Sequence, residues 1–384
     1  MPAHPLASLF DQVDEVNATI ARRESTGAEH RATVDEEIAV FHPKLLDLRV
    51  AEVIDETATT KTFRLRRSDG EPLPPFVAGQ YISLRVRIGD VQTSRPFSIA
   101  SSPTEREYWD LTVRRIPGGR ISNHMLDTFA VGDRYASGGP IGSFFHDPLF
   151  HGDDLVFLAG GSGVAPAMSM IREMAARGIQ RRMHLLYGSR LVDDVIFRDE
   201  LNGIAANHAN IRVDHVISEP DESWTGPTGF LSAEMIEALA GPLNGRMTYV
   251  CGPPAMYAYQ LAQLERLGHP RRRVRLEANG IALPPGRDPR WPSDVDPTGE
   301  VTVTIRGKGE IRVPRNRPLL DTLEDNGYQP EASCRSGECS LCRVRVVKGE
   351  VFNAAESKLR MSDPRFGFTH SCAAYPVTDV ELDF

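Results

Sequence analysis

The stretch Cys334–Cys342, CRSGECSLC, places three cysteines within nine residues of a chain that has only five. Four residues separate Cys334 from Cys339, two separate Cys339 from Cys342, and Cys372 follows after 29 more. Three interpretations are open at this point: metal ligation, half of a disulfide set, or unligated thiols. The odd number of cysteines disfavours a complete set of disulfides.

The composition is that of a multidomain globular protein. The chain has 384 residues, more than one ordinary core supports, with 41% hydrophobic and 25% charged residues. Its net charge of −8 disfavours a nucleic-acid surface, and no apolar run approaches the roughly 20 residues of a membrane span. The first residues show no secretion signal, so we expect a cytoplasmic location, where thiols stay reduced and disulfides are rare.

Residues 1–44 are predicted to form a helical N-terminal extension. Apolar residues recur there at helical spacing, namely Leu6, Leu9, Phe10, Val13, Val16 and Ile20. One interpretation is a pair of helices packed on the protein itself, and the other is a docking arm for a partner chain.

Two domains with different periodicities follow this extension. Between 45 and 150, short alternating runs such as KTFRLRRS and YISLRVRI are separated by Gly, Pro and Asp, which predicts an antiparallel β-barrel or sandwich. Between 151 and 277, buried strands such as DLVFLAGG alternate with helical segments such as APAMSMIREMAARG, which predicts a parallel α/β sheet.

The composition changes again towards the C-terminus. Residues 278–299 hold five prolines and show no periodicity, so we expect a linker there. Strand patterns resume at Glu300, and we predict that 300–384 form a small independent domain that carries the cysteine loop.

The cysteine spacing favours an iron–sulfur cluster over the other interpretations. Three thiolates on one loop and a fourth from elsewhere form the plant-type [2Fe–2S] arrangement, whereas zinc would favour a second C-x2-C pair. The ligands are then Cys334, Cys339, Cys342 and Cys372. Ser336, Gly337 and Ser340 are small enough to let backbone amides approach the sulfurs. The stretch also resembles the plant-type ferredoxin consensus over about 300–384, and this resemblance implies a β-grasp fold.

The stretch SRPFSIASSP, which follows a predicted strand, has residue types that suit a flavin. Arg95 would neutralise a phosphate, Phe97 would lie against the isoalloxazine ring, and Ser98 would hydrogen-bond its redox-active edge. Further on, GGRIS would open a helix whose first amides bind a diphosphate, and an ordinary strand-to-helix turn is the alternative there. The candidate flavin-binding residues are Arg95, Pro96, Phe97, Ser98, Gly118, Gly119, Arg120, Ile121 and Ser122.

A glycine-rich turn in LVFLAGGSGVAPAMSMI predicts a nucleotide site, because glycines let the backbone approach a pyrophosphate and Pro166 suits the first turn of a helix. A second stretch, YVCGPPAMY, places Cys251 at the carboxyl edge of the sheet, where ligands of open α/β sheets bind. A buried small hydrophobe is the alternative for this thiol. The candidate nucleotide-binding residues are Gly160, Gly161, Ser162, Gly163, Pro166, Ser189, Arg190, Cys251, Gly252 and Pro253.

In order and spacing, RPFS, GGRIS, GGSGVAP and CGPP together resemble the ferredoxin–NADP reductase superfamily. The flavin motif of that superfamily is usually Arg-x-Tyr-Ser, and Phe97 stands here in place of the Tyr. GGRIS resembles the diphosphate turn of the FAD members, so the resemblance implies FAD rather than FMN. It also implies that Cys251 lies near the nicotinamide and Glu277 near the flavin, which makes Ser98, Cys251 and Glu277 the candidate catalytic residues.

The residues around the predicted ribose site leave the choice between NADH and NADPH open. A 2′-phosphate needs cationic partners, and Ser189 and Arg190 follow the second strand of the sheet. Glu219 and Asp221 follow the next strand and would repel a phosphate, so the balance favours NADH.

Residues 45–384 as a whole resemble the reductase components of multicomponent oxygenases, of the phenylacetyl-CoA epoxidase and ketosteroid hydroxylase type. The resemblance implies that NADH passes a hydride to the flavin and that the cluster then passes electrons singly to an oxygenase or demethylase. A corrinoid, haem or other redox protein is an alternative acceptor. A redox-sensing protein without turnover is an alternative from another functional class.

Overall fold

The computed structural model describes residues 45–277, 280–281 and 283–384, together with Pro43 and five isolated residues before it. Apart from these six residues, the predicted helical extension over 1–44 lies outside the described part of the chain. None of the described helices combines the length and the apolar content that crossing a membrane requires.

The first domain is a closed antiparallel barrel, as its alternating sequence predicts. Its elements are β1 (Leu46–Thr57), β2 (Thr60–Arg67), β3 (Tyr81–Ile88), β4 (Val91–Ser98), β5 (Trp109–Arg114), α1 (Arg120–Thr128) and β6 (Arg134–Ser137). The strands lie in the order β4-β3-β6-β1-β2-β5, and a bridge between Ile99 and Leu111 joins the two edges. Alternate residues such as Leu46, Leu48 and Val50 face the core.

The second domain is a five-stranded parallel sheet with helices between its strands. Its elements are β7 (Asp154–Gly160), α2 (Val164–Arg177), β8 (Arg182–Ser189), α3 (Arg198–Asn207), β9 (Ile211–Ile217), α4 (Ala233–Ala240), β10 (Met247–Cys251), α5 (Pro254–Arg266) and β11 (Val274–Glu277). The order is β11-β10-β7-β8-β9, so the direction of winding reverses between β7 and β10. A reversal of this kind opens a ligand crevice at the carboxyl ends of the two strands.

The third domain confirms the predicted β-grasp fold. Its elements are β12 (Glu300–Ile305), β13 (Gly309–Pro314), α6 (Leu319–Asp325), β14 (Arg343–Lys348), β15 (Val351–Asn353), β16 (Phe368–His370), β17 (Ala374–Pro376) and β18 (Val380–Asp383). The main sheet has the order β13-β12-β18-β14-β16, in which β12 and β18 are parallel. Leu319 and Leu323 of α6 pack into the core of this sheet.

The proline-rich segment before β12 does more than connect two domains. Trp291 is buried in a cluster with Leu320 and Tyr375 of the third domain, and its Nε1 donates to the carbonyl of Val295 at 2.8 Å. The described part of 278–299 is therefore packed on the third domain. The sequence of this segment predicted only a linker, because a single buried tryptophan produces no repeating apolar pattern.

Candidate functional site

A cavity of about 240 Å³ lies where the three domains meet. Its walls come from the end of β4, from the segment after β6, from the end of β11 and from the cysteine loop. The residues that line it are Tyr81, Pro96, Ser98, Ile141, Gly142, Ser143, Phe144, Leu276, Glu277, Cys334, Ser336, Glu338 and Cys339. The strand predicted to hold a flavin, the edge predicted to hold a nicotinamide and the cysteine loop therefore share one space.

The three candidate catalytic residues come together beside this cavity. Ser98 Oγ donates to Glu277 Oε2 at 3.2 Å, and Cys251 Sγ donates to the same oxygen at 3.9 Å. Cys251 and Glu277 are paired in the register of β10 and β11 and end those strands, while Ser98 ends β4 of the barrel. The ends of strands from two domains thus meet here and bring these three side chains together.

The carboxyl group of Glu277 is buried, and its environment favours the protonated form. Burial raises the pKa of Glu277 to about 8, the negative charge of Glu338 adds to this rise, and the hydrogen bond from Ser98 opposes it. The Tyr257 hydroxyl lies 2.5 Å from the Glu277 carbonyl and 2.6 Å from that of Gly252, which fixes the backbone here. Glu277 therefore holds a proton at neutral pH and can serve as a hydrogen-bond donor.

The flavin strand β4 exposes two residues to the cavity and packs others elsewhere. Pro96 and Ser98 line the cavity, whereas Phe97 is half-buried against the barrel core. A half-buried ring leaves part of its surface for an aromatic ligand.

Arg95 of the same strand lies at the interface with the third domain. Its Nη1 donates to Thr93 Oγ1 at 2.9 Å and to the Ser94 carbonyl at 2.8 Å, and its Nη2 lies 3.6 Å from Asp321. Burial lowers the pKa of Arg95 to about 10, so the guanidinium is charged at neutral pH. Arg95 thus has protein partners in addition to the phosphate predicted for it.

The amino end of α1 has the geometry of a diphosphate cradle. Gly118 has φ +70°, and a Cβ at Gly119 would lie 2.5 Å from Ser122 Oγ. No side chain caps this end of the helix, so its first amides can donate to an anion. Arg120, the first residue of α1, pairs with Asp325 at 2.7 Å.

The turns that follow β7 and β10 touch each other at the ligand crevice. A Cβ on Gly163 would lie 2.2 Å from the carbonyl oxygen of Cys251, so only glycine permits this approach. Gly161 has φ +52°, and Gly163 precedes α2 without a side-chain cap. This glycine-rich turn lets backbone groups at the start of α2 approach the pyrophosphate of a dinucleotide closely.

The loops after β8 and β9 also lie side by side. The amide of Glu219 donates to the Arg190 carbonyl at 2.8 Å, and the Arg190 guanidinium lies 4.0 Å from the Glu219 carboxylate. Ser189 is buried beside them. The cation predicted near the ribose therefore has an acidic neighbour.

Backbone amides in the cysteine loop point at the sulfurs. Cys372 Sγ accepts from the Gly337 amide at 3.3 Å, while Cys334 Sγ accepts from Cys339 at 3.3 Å and from Ser336 at 3.4 Å. Left-handed backbone at Arg335, Gly337 and Ser340 turns these amides inward. This is the donor pattern that stabilises negatively charged sulfur.

The four cysteines of the predicted ligand set affect one another's ionisation. Cys339 and Cys372 lower the pKa of Cys334, and Cys372 lowers the pKa of Cys342. Cys334, Cys342 and Cys372 are buried, and Cys339 is partly buried. Among the described residues, no group of three or more His, Cys, Asp or Glu side chains is arranged to hold a single metal ion. A [2Fe–2S] cluster takes four thiolates, so the number and burial of these thiols fit it.

Several residues at these interfaces carry no signal in the sequence. Tyr81, Glu338 and Tyr257 line or support the cavity, and Thr93 and Glu324 join the barrel to α6. Each is an ordinary strand, helix or loop residue in its local pattern. Their roles depend on contacts between domains, which local periodicity does not encode.

Family models match three separate parts of the chain. Residues 47–146 match an oxidoreductase FAD-binding domain, 157–261 an oxidoreductase NAD-binding domain, and 303–377 a 2Fe-2S iron-sulfur cluster binding domain. All four cysteines of the predicted ligand set lie within the third match.

Two of the similar proteins align with most of this chain. The chain is 30% identical over 352 residues to the glycine betaine monooxygenase reductase subunit of Pseudomonas aeruginosa, covering 88% of this chain and 94% of that one. It is 32% identical over 355 residues to the ferredoxin reductase component of 3-ketosteroid-9-alpha-monooxygenase from Mycolicibacterium smegmatis, covering 88% and 97%.

Solved structures with the same fold are also known. Phthalate dioxygenase reductase superposes with a TM-score of 0.65 at 24% identity, covering 88% of this chain and 98% of that one. A cytochrome P450 reductase of Amycolatopsis superposes with a TM-score of 0.55 at 30% identity, covering 62% and 71%.

Proposed function

This chain belongs to the family of oxygenase reductase components that join FAD-binding, NAD-binding and 2Fe-2S domains, and on that premise we propose that it carries electrons from NADH to an oxygenase. It is an NAD(P)H-dependent oxidoreductase with FAD and a [2Fe–2S] cluster as cofactors. The observation that carries the proposal is the cavity lined jointly by Ser98, Glu277 and Cys334, because it gives the three domains one meeting point.

The residues beside the cavity are assigned to the hydride step. When bound, FAD accepts two electrons at once and the cluster accepts one at a time. Ser98 would hydrogen-bond the flavin edge, and the buried Glu277 carboxyl, 3.2 Å from its hydroxyl, would orient Ser98 and hold a proton nearby. Cys251 ends β10 at the carboxyl edge of the sheet, where the nicotinamide would lie.

Backbone groups at two helix starts are assigned to the phosphates. Gly118, Gly119, Arg120, Ile121 and Ser122 hold the FAD diphosphate, because the amino end of α1 is uncapped. The residues assigned to NADH are Gly160, Gly161, Ser162, Gly163, Pro166, Ser189, Arg190, Gly252 and Pro253. Glu219 beside Arg190 supports NADH over NADPH, since a carboxylate at this place repels a 2′-phosphate.

A cluster held by the cysteine loop would lie between the cavity and the outer surface. Cys334, Cys339, Cys342 and Cys372 are its proposed ligands. Cys334 and Cys339 line the cavity, whereas Leu341 in the same loop is 45% exposed. The exposed side of the loop is the place where an acceptor protein reaches the cluster.

The substitution Cys339→Ser tests this route. NADH oxidation with ferricyanide should continue, because the flavin site is intact, whereas reduction of cytochrome c should fall by about tenfold or more. Cys251→Ser serves as a control at a thiol outside the loop, and it should retain the paramagnetic signal of the reduced cluster. Unchanged cytochrome c reduction in Cys339→Ser would show that electrons bypass the cluster.

A cytochrome P450 is the second candidate acceptor, because of the likeness to the Amycolatopsis P450 reductase over 62% of the chain. Cross-linking of the purified protein in an extract of its own cells, followed by mass spectrometry, separates the two candidates. A non-haem oxygenase subunit on the exposed side of the cysteine loop supports the first candidate, and a haem protein supports the second.

A further inference from the structure

A buried set of polar side chains joins the barrel to the third domain. Thr93 Oγ1 donates to Glu324 Oε2 at 2.8 Å and accepts from Arg335 Nη2 at 2.9 Å. It also accepts from Arg95 Nη1 at 2.9 Å. A hydroxyl has one donor and two acceptor positions, so all three positions of Thr93 are occupied.

The charges in this set neutralise one another inside the interface. Arg335 donates to Glu324 and, at 2.8 Å, to Asp321. The exposed fractions of Thr93, Glu324 and Arg335 are 6%, 7% and 8%. Removing one partner from a buried charge pair leaves the other charge uncompensated, so this contact depends on all of its members.

The same residues are directly connected to the two redox sites. Thr93 lies on β4, the strand that ends at Ser98, and Arg335 follows Cys334 in the cysteine loop. Both Ser98 and Cys334 line the shared cavity. Arg335 has φ +53°, a conformation that non-glycine residues adopt rarely and that is retained only where surrounding contacts fix it.

We propose that Thr93, Glu324 and Arg335 form a clamp that sets the separation between flavin and cluster, and that they are positioning residues for electron transfer. This inference rests on the proposed function. The residues act through β4 and the cysteine loop, so breaking the clamp slows the step from flavin to cluster and leaves the hydride step unchanged.

The test uses the full-length holoprotein with Glu324→Gln and Thr93→Val. Stopped-flow absorbance after mixing with NADH should show flavin reduction at the wild-type rate and cluster reduction slowed about tenfold or more, because small displacements have large effects on rate. Hydrogen exchange, measured with and without cofactors, should rise in 91–98 and 319–325. Thr93→Ser keeps the hydroxyl and should restore both properties.

Glu310→Gln, an exposed glutamate in the β12–β13 hairpin, is the matched control and should behave as wild type. Wild-type cluster reduction in Glu324→Gln, or unchanged exchange in both segments, would overturn the clamp. If Thr93→Val does not fold, Glu324→Gln alone decides. A wild-type protein whose cluster stays oxidised with NADH would instead overturn the proposed function itself.

Discussion

The carboxyl group of Glu277 lies buried between Ser98 and Cys251, and burial raises its pKa to about 8 from an ordinary value of 4.5. The folded protein therefore binds this proton more tightly than the unfolded chain does. The associated stability is complete below about pH 4.5 and is lost as the pH rises through about 8. One residue thus links the chemistry of the cavity to the pH dependence of folding.

Glu277→Gln removes this dependence, because the amide stays neutral at every pH. We expect the variant to gain stability over wild type as pH rises from 4.5 to 8, by at most about 1.4 kcal/mol per pH unit, and to gain no more above that. Thermal unfolding midpoints of both proteins at pH 5, 7 and 9 measure the difference. Glu310→Gln is the exposed control, and an equal pH trend in it would contradict the assignment to Glu277.

At the scale of elements, the sequence predicted strands and helices well where periodicity was strong. The alternating runs of the barrel, the apolar strand β7 and the spacing of the cysteines each correspond to a structural element. The turn after β7 was predicted from its glycines. The structure shows why Gly163 must be glycine: its backbone lies against the end of β10. The burial of Trp291 was not predicted, because it depends on contacts with the third domain and not on the proline-rich segment around it.

Gly163→Ala tests the contact between the turns after β7 and β10. The added methyl group would lie 2.2 Å from the Cys251 carbonyl oxygen, so the two turns must separate. We expect the KM for NADH to rise about tenfold or more, which corresponds to about 1.4 kcal/mol of binding energy. Steady-state kinetics with ferricyanide measures it.

Gly203→Ala is the matched control, because Gly203 lies on the exposed side of α3 with no atom within 4 Å of an added Cβ. It should keep the KM for NADH and raise stability by about 0.5–1 kcal/mol. Equal KM values in the two alanine variants would show that the close approach is not needed for nucleotide binding.

At the scale of the whole molecule, polar contacts among the described residues join the barrel to each of the other two domains. The barrel meets the third domain through Thr93 and Glu324, which are 231 residues apart, and meets the second domain through Thr59 and Asp194, which are 135 apart. Such pairs leave no mark in a single sequence, because each member satisfies its local pattern without the other. The domains were therefore predictable one by one, and their arrangement was not.

We expect the two interfaces to control different steps of electron transfer. A substitution at Asp194 tests the interface between the barrel and the second domain. Asp194 is buried, accepts from Thr59 Oγ1 at 2.7 Å and pairs with Arg114. Arg114 Nη1 would lie 2.8 Å from a Cβ on Gly161, so the ion pair also supports the nucleotide turn.

Asp194→Ala leaves the Arg114 guanidinium without its carboxylate. Because 21% of the Arg114 side chain is exposed, this loss should cost less than the about 3–5 kcal/mol of a fully buried pair. We expect a lower thermal midpoint and slower flavin reduction by NADH, whereas electron transfer from reduced flavin to the cluster keeps its rate. Asp193→Ala, at the exposed neighbouring position, should match wild type in each measurement. Stopped-flow traces separate the two steps, and a slowed cluster step in Asp194→Ala would show that the interfaces do not act independently.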